Sequence, residues 1–265
     1  MNLFHARTIR ARAAAALIAA WLSLSSCCST PHCDTCGTVQ SDAVAVMAQP
    51  VPALQVAPIA QAEPMQEAAV KNGDEALQRL MEGNKRFVAF HLKQPNDNAA
   101  RRASLSNGQQ PFATIFSCVD SRVPPELVFD RGLGDLFVTR TAGQVPDRAV
   151  LGSIEYGAEH LHIHLLMIMG HKSCGAVKAT IDTLAAHGHA EGNIGALIEG
   201  ITPAVEKAKT AGGELLDKAI RTNVELGVER MKHVPLLEAL VKKGELKIVG
   251  GVYNLDTGEV ELTVP

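Results

Sequence analysis

From residue 73 onward, short apolar runs alternate with longer amphipathic stretches, and this alternation limits the possible folds more than any other feature of the sequence. The apolar runs have the length of buried strands and cover 112–117, 136–139, 165–169 and 246–252. The stretches with helical spacing of apolar residues are 74–90, 149–160, 175–186, 194–209 and 215–231. This order predicts an α/β fold, in which helices flank a mostly parallel central sheet. A final alternating run at 260–263 predicts an edge strand.

The beginning of the chain has a different composition and predicts no part of this sheet. Residues 1–12 carry three Arg and no acidic residue, and an apolar run follows at 13–24. This run is too short to span the hydrocarbon core of a bilayer, which is about 30 Å thick. We therefore interpret 1–26 as a signal peptide that directs the protein out of the cytosol.

The end of this signal, Leu24-Ser25-Ser26-Cys27, resembles the lipobox of bacterial lipoproteins, in which the Cys becomes the acylated first residue. Cys27 is thus expected to anchor the exported protein on the periplasmic side of a bacterial membrane. Cys28 is not the Asp associated with inner-membrane retention, which favours the outer membrane. An ordinary secretory signal with a chance Cys is the alternative.

Residues 27–72 are rich in Ala, Pro and Gln and contain no aromatic residue. Such a segment buries too little apolar surface to offset its ordering entropy, so we expect a disordered, flexible tether. Cys33 and Cys36 form a single C-x2-C pair in it, for which a local disulfide or free thiols are favoured over zinc. The expected domains are thus 1–26, 27–72 and a folded domain at 73–265. The formal net charge of −3 argues against nucleic acid as a partner and leaves lipid as the only expected membrane contact.

Potential metal ligands follow two of the predicted strands. Cys118 ends the region of the first strand, and His171 and Cys174 come after the third. In open α/β sheets ligands bind at the carboxyl ends of strands, so these side chains are expected at one site. Two Cys and one His form a known ligand set for catalytic zinc, which leaves the fourth position for water. Two buried thiols with a loop His, or a Cys118–Cys174 disulfide, are the alternatives.

Cys118-x-Asp120-x-Arg122 together with His171-x2-Cys174 resembles the zinc site of the β-class carbonic anhydrases. Similar stretches beyond these residues lie at 80–87, 121–130, 134–140, 170–177 and 251–258. The resemblance covers 74–264 and excludes the N-terminal segment.

The resemblance implies reversible hydration of CO2 to bicarbonate and a proton by zinc-bound hydroxide, with one Zn2+ per chain. Cys118, His171 and Cys174 would bind the zinc, and Asp120 with Arg122 would form a catalytic dyad. In some relatives this Asp takes the fourth zinc position when its Arg pair is broken, and the sequence leaves both states open.

Two further residues match positions of the family's substrate pocket. Gln109 matches a Gln that donates a hydrogen bond to a substrate oxygen, and Tyr156 matches a pocket-lining aromatic residue. Polar loop filler and a core Tyr are the respective alternatives. Gln144 stands where many relatives have Asn, which is one visible departure from the family's pattern.

The resemblance also implies a homodimer or homotetramer with the sites near the subunit interface. In it, the helix at 74–90 would pack across the partner. Six apolar residues of this helix are expected to be exposed for that contact, although packing within the chain would suit them equally: Leu77, Leu80, Met81, Phe87, Val88 and Phe90.

Two other functions remain open at this point. Hydrolysis of COS or CS2 would use the same fold on substrates that are also small and linear. A non-catalytic, zinc-stabilised binding module would use the fold without the chemistry, but the Asp120–Arg122 pair argues against it, because a structural zinc needs no such dyad.

Overall fold

The computed structural model describes residues 67–210 and 212–265. The predicted signal peptide, the predicted acylation site Cys27 and nearly all of the predicted tether lie outside the described residues. No helix within these ranges combines the length and the apolar character that crossing a bilayer demands.

A five-stranded sheet forms the centre of the described region, with its strands in the order β2-β1-β3-β4-β5. The strands are β1 (Ala113–Cys118), β2 (Leu136–Thr141), β3 (Leu165–His171), β4 (Lys247–Tyr253) and β5 (Val260–Val264). Strand β1 pairs in parallel with both β2 and β3, and β3 pairs in parallel with β4. Only β5 is antiparallel, at the edge beside β4. The predicted α/β fold with a mostly parallel sheet is confirmed.

The described residues also form eight α-helices. They are α1 (Gly73–Val88), α2 (Ala99–Ser104), α3 (Pro125–Val128), α4 (Arg148–His160), α5 (Gly175–Ala185), α6 (Ile194–Lys209), α7 (Leu215–Lys232) and α8 (Pro235–Lys242). A short 3-10 turn, Ala142–Gln144, follows β2. The five long helices agree with the predicted stretches, whereas α2, α3 and α8 were not predicted.

Both faces of the sheet are covered. Alternate residues of β3 enter two separate apolar clusters, with Leu165 and Met167 in one and Leu166 and Ile168 in the other. Helices α1, α5 and α6 contribute to the first cluster, and α4 and α8 contribute to the second. Because both faces are buried, the strands are continuous apolar runs without polar alternation.

Helix α1 packs against the core of its own chain. Leu80 is fully buried there, and Leu77, Met81 and Phe87 pack against the same cluster. Of the two alternatives, packing within the chain is therefore the one found for these four residues, because the helical repeat places them over one face of the sheet. Phe90, just beyond the helix, is the exception and is 90% exposed.

The order of the strands locates a crevice. From β1 the chain moves to β2 on one side and then to β3 on the other, so the direction of winding reverses between β1 and β3. In open α/β sheets, ligands bind at such a reversal, outside the carboxyl ends of the strands.

Candidate metal centre

The three predicted metal ligands meet at this crevice. Cys118 is the last residue of β1, His171 is the last residue of β3, and Cys174 is the N-cap of α5. Their ligand atoms all lie within 4.8 Å of one another, and all three residues are buried. Because β1 and β3 run parallel, their carboxyl ends meet at the same edge of the sheet. This brings together residues that are more than fifty positions apart in the sequence.

His171 has the tautomer that a metal ligand needs. Its Nδ1 lies 2.8 Å from the carbonyl oxygen of Lys172. A carbonyl only accepts hydrogen bonds, so Nδ1 carries the proton and Nε2 carries a free lone pair. Nε2 is buried, and among the described residues it has no hydrogen-bond partner. A buried lone pair beside two thiols fits a zinc ion, which takes N and S ligands.

The two cysteines are free thiols in this structure. A hydrogen bond from Cys174 lowers the pKa of Cys118, and contacts from His171 and the Gly143 N–H act in the same direction. The same pairing, together with burial, raises the pKa of Cys174. One negative charge is therefore favoured in the pair and a second is opposed, and a bound cation removes that opposition.

The Asp120–Arg122 pair lies beside the cluster. Arg122 donates from Nε to Oδ1 of Asp120 at 2.9 Å and from Nη2 to Oδ2 at 2.7 Å. Oδ2 lies 3.9 Å from Nε2 of His171. The hydrogen bonds from Arg122 hold the pKa of the Asp120 carboxyl well below its usual range, so the carboxylate is ionised. Of the two states left open by the sequence, this structure shows the one with the Arg pair intact.

Arg140 on β2 supports both halves of the site. Its Nε donates to the carbonyl oxygen of Cys118 at 2.8 Å, and its Nη2 donates to that of Asp120 at 2.6 Å. Sequence analysis did not single out this residue. Its only signal is its place at the end of the 134–140 stretch, since a strand Arg that binds backbone carbonyls has no distinctive spacing.

The turn after β2 also reaches the cluster. The backbone N–H of Gly143 donates to Sγ of Cys118 at 3.3 Å, and Asn223 of α7 donates from Nδ2 to the Gly143 carbonyl at 2.9 Å. Gly143 has a φ of 63°, and a Cβ there would lie 2.6 Å from Cδ1 of Ile201. Asn223 was not found by sequence analysis either, because it lies in a helix that was interpreted only by its apolar spacing.

The structure does not bring Gln109 to the metal ligands of its own chain. Gln109 lines a cleft of about 820 Å³ that is also lined by Phe112, Asp135 and His164, which directly precede β1, β2 and β3. The cleft therefore lies at the amino ends of the strands, whereas Cys118 lies at a carboxyl end. A strand of six residues is roughly 20 Å long.

Tyr156 is likewise not placed at this cluster by any contact within the described residues. It is 49% exposed, and its ring contacts those of Phe137 and His160 with centroid distances of 6.5 and 5.1 Å. The substrate-binding roles of Gln109 and Tyr156 stay predictions.

A buried Cys2His cluster at the winding reversal of a mostly parallel sheet, beside an Asp–Arg pair, has the features expected of a β-class carbonic anhydrase. Residues 113–260 match the family model described as carbonic anhydrase. The chain is 42% identical over 189 residues to a carbonic anhydrase of Mycolicibacterium smegmatis, an alignment that covers 71% of this chain and 91% of that protein.

Solved structures share the fold. A Coccomyxa β-carbonic anhydrase in complex with acetazolamide has a TM-score of 0.56 at 27% identity and covers 70% of this chain and 85% of its own. A tetrameric β-carbonic anhydrase of Sordaria macrospora has a TM-score of 0.56 at 20% identity, with coverage of 70% and 95%. The chain belongs to the carbonic anhydrase family and is a β-class enzyme.

Proposed function

We propose that the protein catalyses the reversible hydration of CO2 to bicarbonate and a proton at one Zn2+ per chain, held by Cys118, His171 and Cys174. The observation that carries this proposal is the buried, unpartnered Nε2 of His171 beside two thiols. Oxygen-preferring cations such as Mg2+ and Ca2+ fit this donor set poorly, because soft thiolates favour zinc. When bound, Zn2+ would lower the pKa of water and so supply a nucleophile, although two thiolates lower that pKa less than an all-His site would.

Asp120 is proposed to orient the reacting group. Its carboxylate is an acceptor beside the cluster, because Oδ2 lies 3.9 Å from Nε2 of His171. Arg122 keeps that carboxylate ionised and restrains it with two parallel hydrogen bonds, so that it accepts a proton-bearing donor from a fixed direction. Orientation of a small, featureless substrate such as CO2 must come from the enzyme's own groups.

Stopped-flow measurement of CO2 hydration tests this proposal. We expect activity in the wild type and its loss in Cys174→Ala and Asp120→Ala. Asp182→Ala is the matched control, since Asp182 forms an exposed ion pair with Lys178 on α5. A wild type that binds one zinc per chain but hydrates no CO2 at neutral or mildly alkaline pH would contradict the proposal. That result would favour the alternative function, a non-catalytic module that zinc stabilises.

The same preparation separates CO2 hydration from hydrolysis of COS or CS2. We expect turnover of CO2 to exceed that of COS, because the family match and the curated relative both carry the name carbonic anhydrase. A preparation that consumes COS faster than CO2 would assign the site to the other reaction.

A homodimer or homotetramer is also proposed. Val119 and Leu127, near the metal centre in the chain, are 52% and 59% exposed. The Sordaria macrospora β-carbonic anhydrase that shares this fold is tetrameric, and an interface here would bury both side chains. Gln109 does not reach the metal centre of its own chain, so its proposed contact with substrate requires a second copy. The test is molar mass by light scattering, and a monomer at working concentrations would contradict the oligomer.

Export and a lipid anchor at Cys27 are proposed from the sequence alone. Palmitate labelling tests them, and we expect label in wild type and in Cys28→Ala but none in Cys27→Ala. Unchanged membrane association of an unlabelled Cys27→Ala protein would argue against the anchor. The inner or outer membrane is decided by fractionating the labelled protein, with the outer membrane expected.

A further inference from the structure

A chain of two hydrogen bonds joins helix α7 to a metal ligand. The Gly143 N–H donates to Sγ of Cys118 at 3.3 Å, and the Gly143 carbonyl accepts from Nδ2 of Asn223 at 2.9 Å. Both contacts are buried. Asn223 is separated from Gly143 by 80 residues, so α7 acts on the ligand from outside the metal-binding segments.

The two contacts use the two peptide groups that meet at the Cα of Gly143, one through its N–H and the other through its C=O. Gly143 has a φ of 63°, and the turn around it includes only Ala142, Gly143 and Gln144. Gly143 is closely surrounded, since a Cβ on it would approach Ile201 at 2.6 Å and Ala176 at 3.1 Å. These apolar neighbours confine the Cα of Gly143, and the hydrogen bond from Asn223 fixes the direction of its carbonyl oxygen.

We propose that Asn223 is a positioning residue of the metal centre, which anchors Gly143 by its carbonyl and so helps to keep the Gly143 N–H within hydrogen-bond distance of the sulfur of Cys118. This inference rests on the proposed function of Cys118 as a zinc ligand. The hydrogen bond holds Sγ of Cys118 in one position and also withdraws charge from it. Its loss should therefore weaken metal binding, because the sulfur is less well positioned, and should change the energy of the metal–sulfur bond. Groups that hydrogen-bond directly to metal ligands typically change metal affinity about 10- to 100-fold when they are altered, and Asn223 acts one hydrogen bond further out, so we expect the lower end of that range.

A purely structural role for Asn223 makes a different prediction. Asn223 is 9% exposed on a helix that packs on the sheet, so its replacement will lower stability whether or not it acts on Cys118. Stability therefore does not test the proposal. The electronic state of the metal–sulfur bond does, because packing alone does not reach it.

The experiment uses the full chain loaded with Co2+ in place of zinc. The variants are Asn223→Leu, which has similar volume and no donor, and Asn223→Asp, which keeps the shape and loses the donor when ionised. Val228→Ala is the matched control, because Val228 is fully buried on the same helix but belongs to the other apolar cluster. The measurements are the energy of the sulfur-to-cobalt charge-transfer band and the Zn2+ affinity by chelator competition.

We expect the charge-transfer band to shift and the Zn2+ affinity to fall about tenfold in both Asn223 variants. Val228→Ala should lower the free energy of unfolding, but its charge-transfer band and its Zn2+ affinity should equal those of the wild type. Wild-type values in an Asn223 variant, or an equal shift in Val228→Ala, would overturn the proposal. Where Asn223→Leu does not fold, the isosteric Asn223→Asp decides.

An NMR measurement tests the hydrogen bond between the Gly143 N–H and Sγ of Cys118 directly. With 113Cd bound, a scalar coupling between the cadmium and the Gly143 amide proton is expected through the N–H···S contact, and it should vanish in Asn223→Asp. Its absence from wild type would overturn the inference. Failure of the wild type to bind any of these metals would instead contradict the proposed function, so the two failures are distinguishable.

Discussion

At the scale of single residues, the contacts around Asp120 separate the two states that the sequence left open. Arg122 binds the carboxylate through both oxygens, and its backbone N–H adds a third contact at 3.0 Å to Oδ1. A carboxylate held in this way points an acceptor toward the cluster without joining the three ligands. The arginine therefore controls both the charge and the direction of Asp120.

Replacing Arg122 should disturb catalysis without removing a metal ligand. In Arg122→Met we expect kcat/KM for CO2 hydration to fall by about 100-fold, because the carboxylate loses its fixed direction. Zinc content should stay at one per chain. Arg221→Met is the control, since Arg221 makes a similar two-contact pair with Glu261 on the surface. Wild-type kcat/KM in Arg122→Met would contradict the orienting role of the pair.

The titration of Asp120 gives a second prediction at this scale. Its pKa is lowered in the folded protein, so the ion pair contributes stability above the unfolded value of about 3.9 and loses it as pH falls through the folded value. The carboxyl 13C shift of Asp120 in NMR should therefore stay constant as pH is lowered to about 4. In Arg122→Met the midpoint should move upward, and an unchanged midpoint would show that Arg122 is not the cause.

At the scale of elements, Asn84 fastens α1 to two distant parts of the chain. Its Nδ2 donates to the carbonyls of Val128 and Gly258 at 3.0 and 2.8 Å, and its Oδ1 accepts from the Val260 N–H at 2.9 Å. Asn84 is 2% exposed. Because its removal leaves buried backbone groups without partners, Asn84→Ala should lower the free energy of unfolding by about 3 kcal/mol.

Denaturant unfolding measures this loss. Gln78→Ala is the control on the same helix, since Gln78 makes an exposed side-chain hydrogen bond at 2.9 Å that water replaces. We expect the control to change the free energy of unfolding by less than about 0.5 kcal/mol. Equal effects of the two substitutions would contradict the account of Asn84.

The segment before α1 is held by a partly buried contact. The Arg131 side chain, 1% exposed, donates from Nη1 to Glu67 at 2.8 Å and stacks on Phe112 with its guanidinium carbon 5.2 Å from the ring centroid. Glu67→Ala removes the carboxylate that pairs with this guanidinium. The free energy of unfolding should therefore fall by about 2 kcal/mol. Thermal unfolding checks this value against Glu206→Ala, which removes only an exposed ion pair. Matching Tm values for the two variants would contradict the contact.

The helices and strands that could be predicted from the sequence are those whose burial requires apolar residues at regular positions. Strand β3 is apolar at every early position because both faces are covered, and α6 was predicted with its observed bounds, Ile194–Lys209. Helix α2 buries none of its residues, and α3 has four residues with Pro at its start. Helices of this kind lack the apolar repeat from which a helix is inferred.

At the scale of the whole molecule, the meeting of Cys118, His171 and Cys174 could be predicted, because the strand ends that carry them can be recognised from the sequence. Long-range contacts such as that of Asn223 with Gly143 depend on how α7 packs, and no local pattern records that packing. The position of Gln109 shows the same limit. Gln109 is only nine residues before Cys118 in the sequence, but it lies at the opposite end of β1.

The central claim concerns a two-thiolate, one-imidazole zinc centre that hydrates CO2. The most direct test is to remove metal from the full chain under reducing conditions and to measure stopped-flow CO2 hydration as Zn2+ is added back. We predict that activity rises in proportion to added zinc and reaches a constant maximum at one equivalent per chain. His171→Ala should show no activity at any zinc concentration. Full activity of the metal-free protein, or of zinc-loaded His171→Ala, would contradict the account.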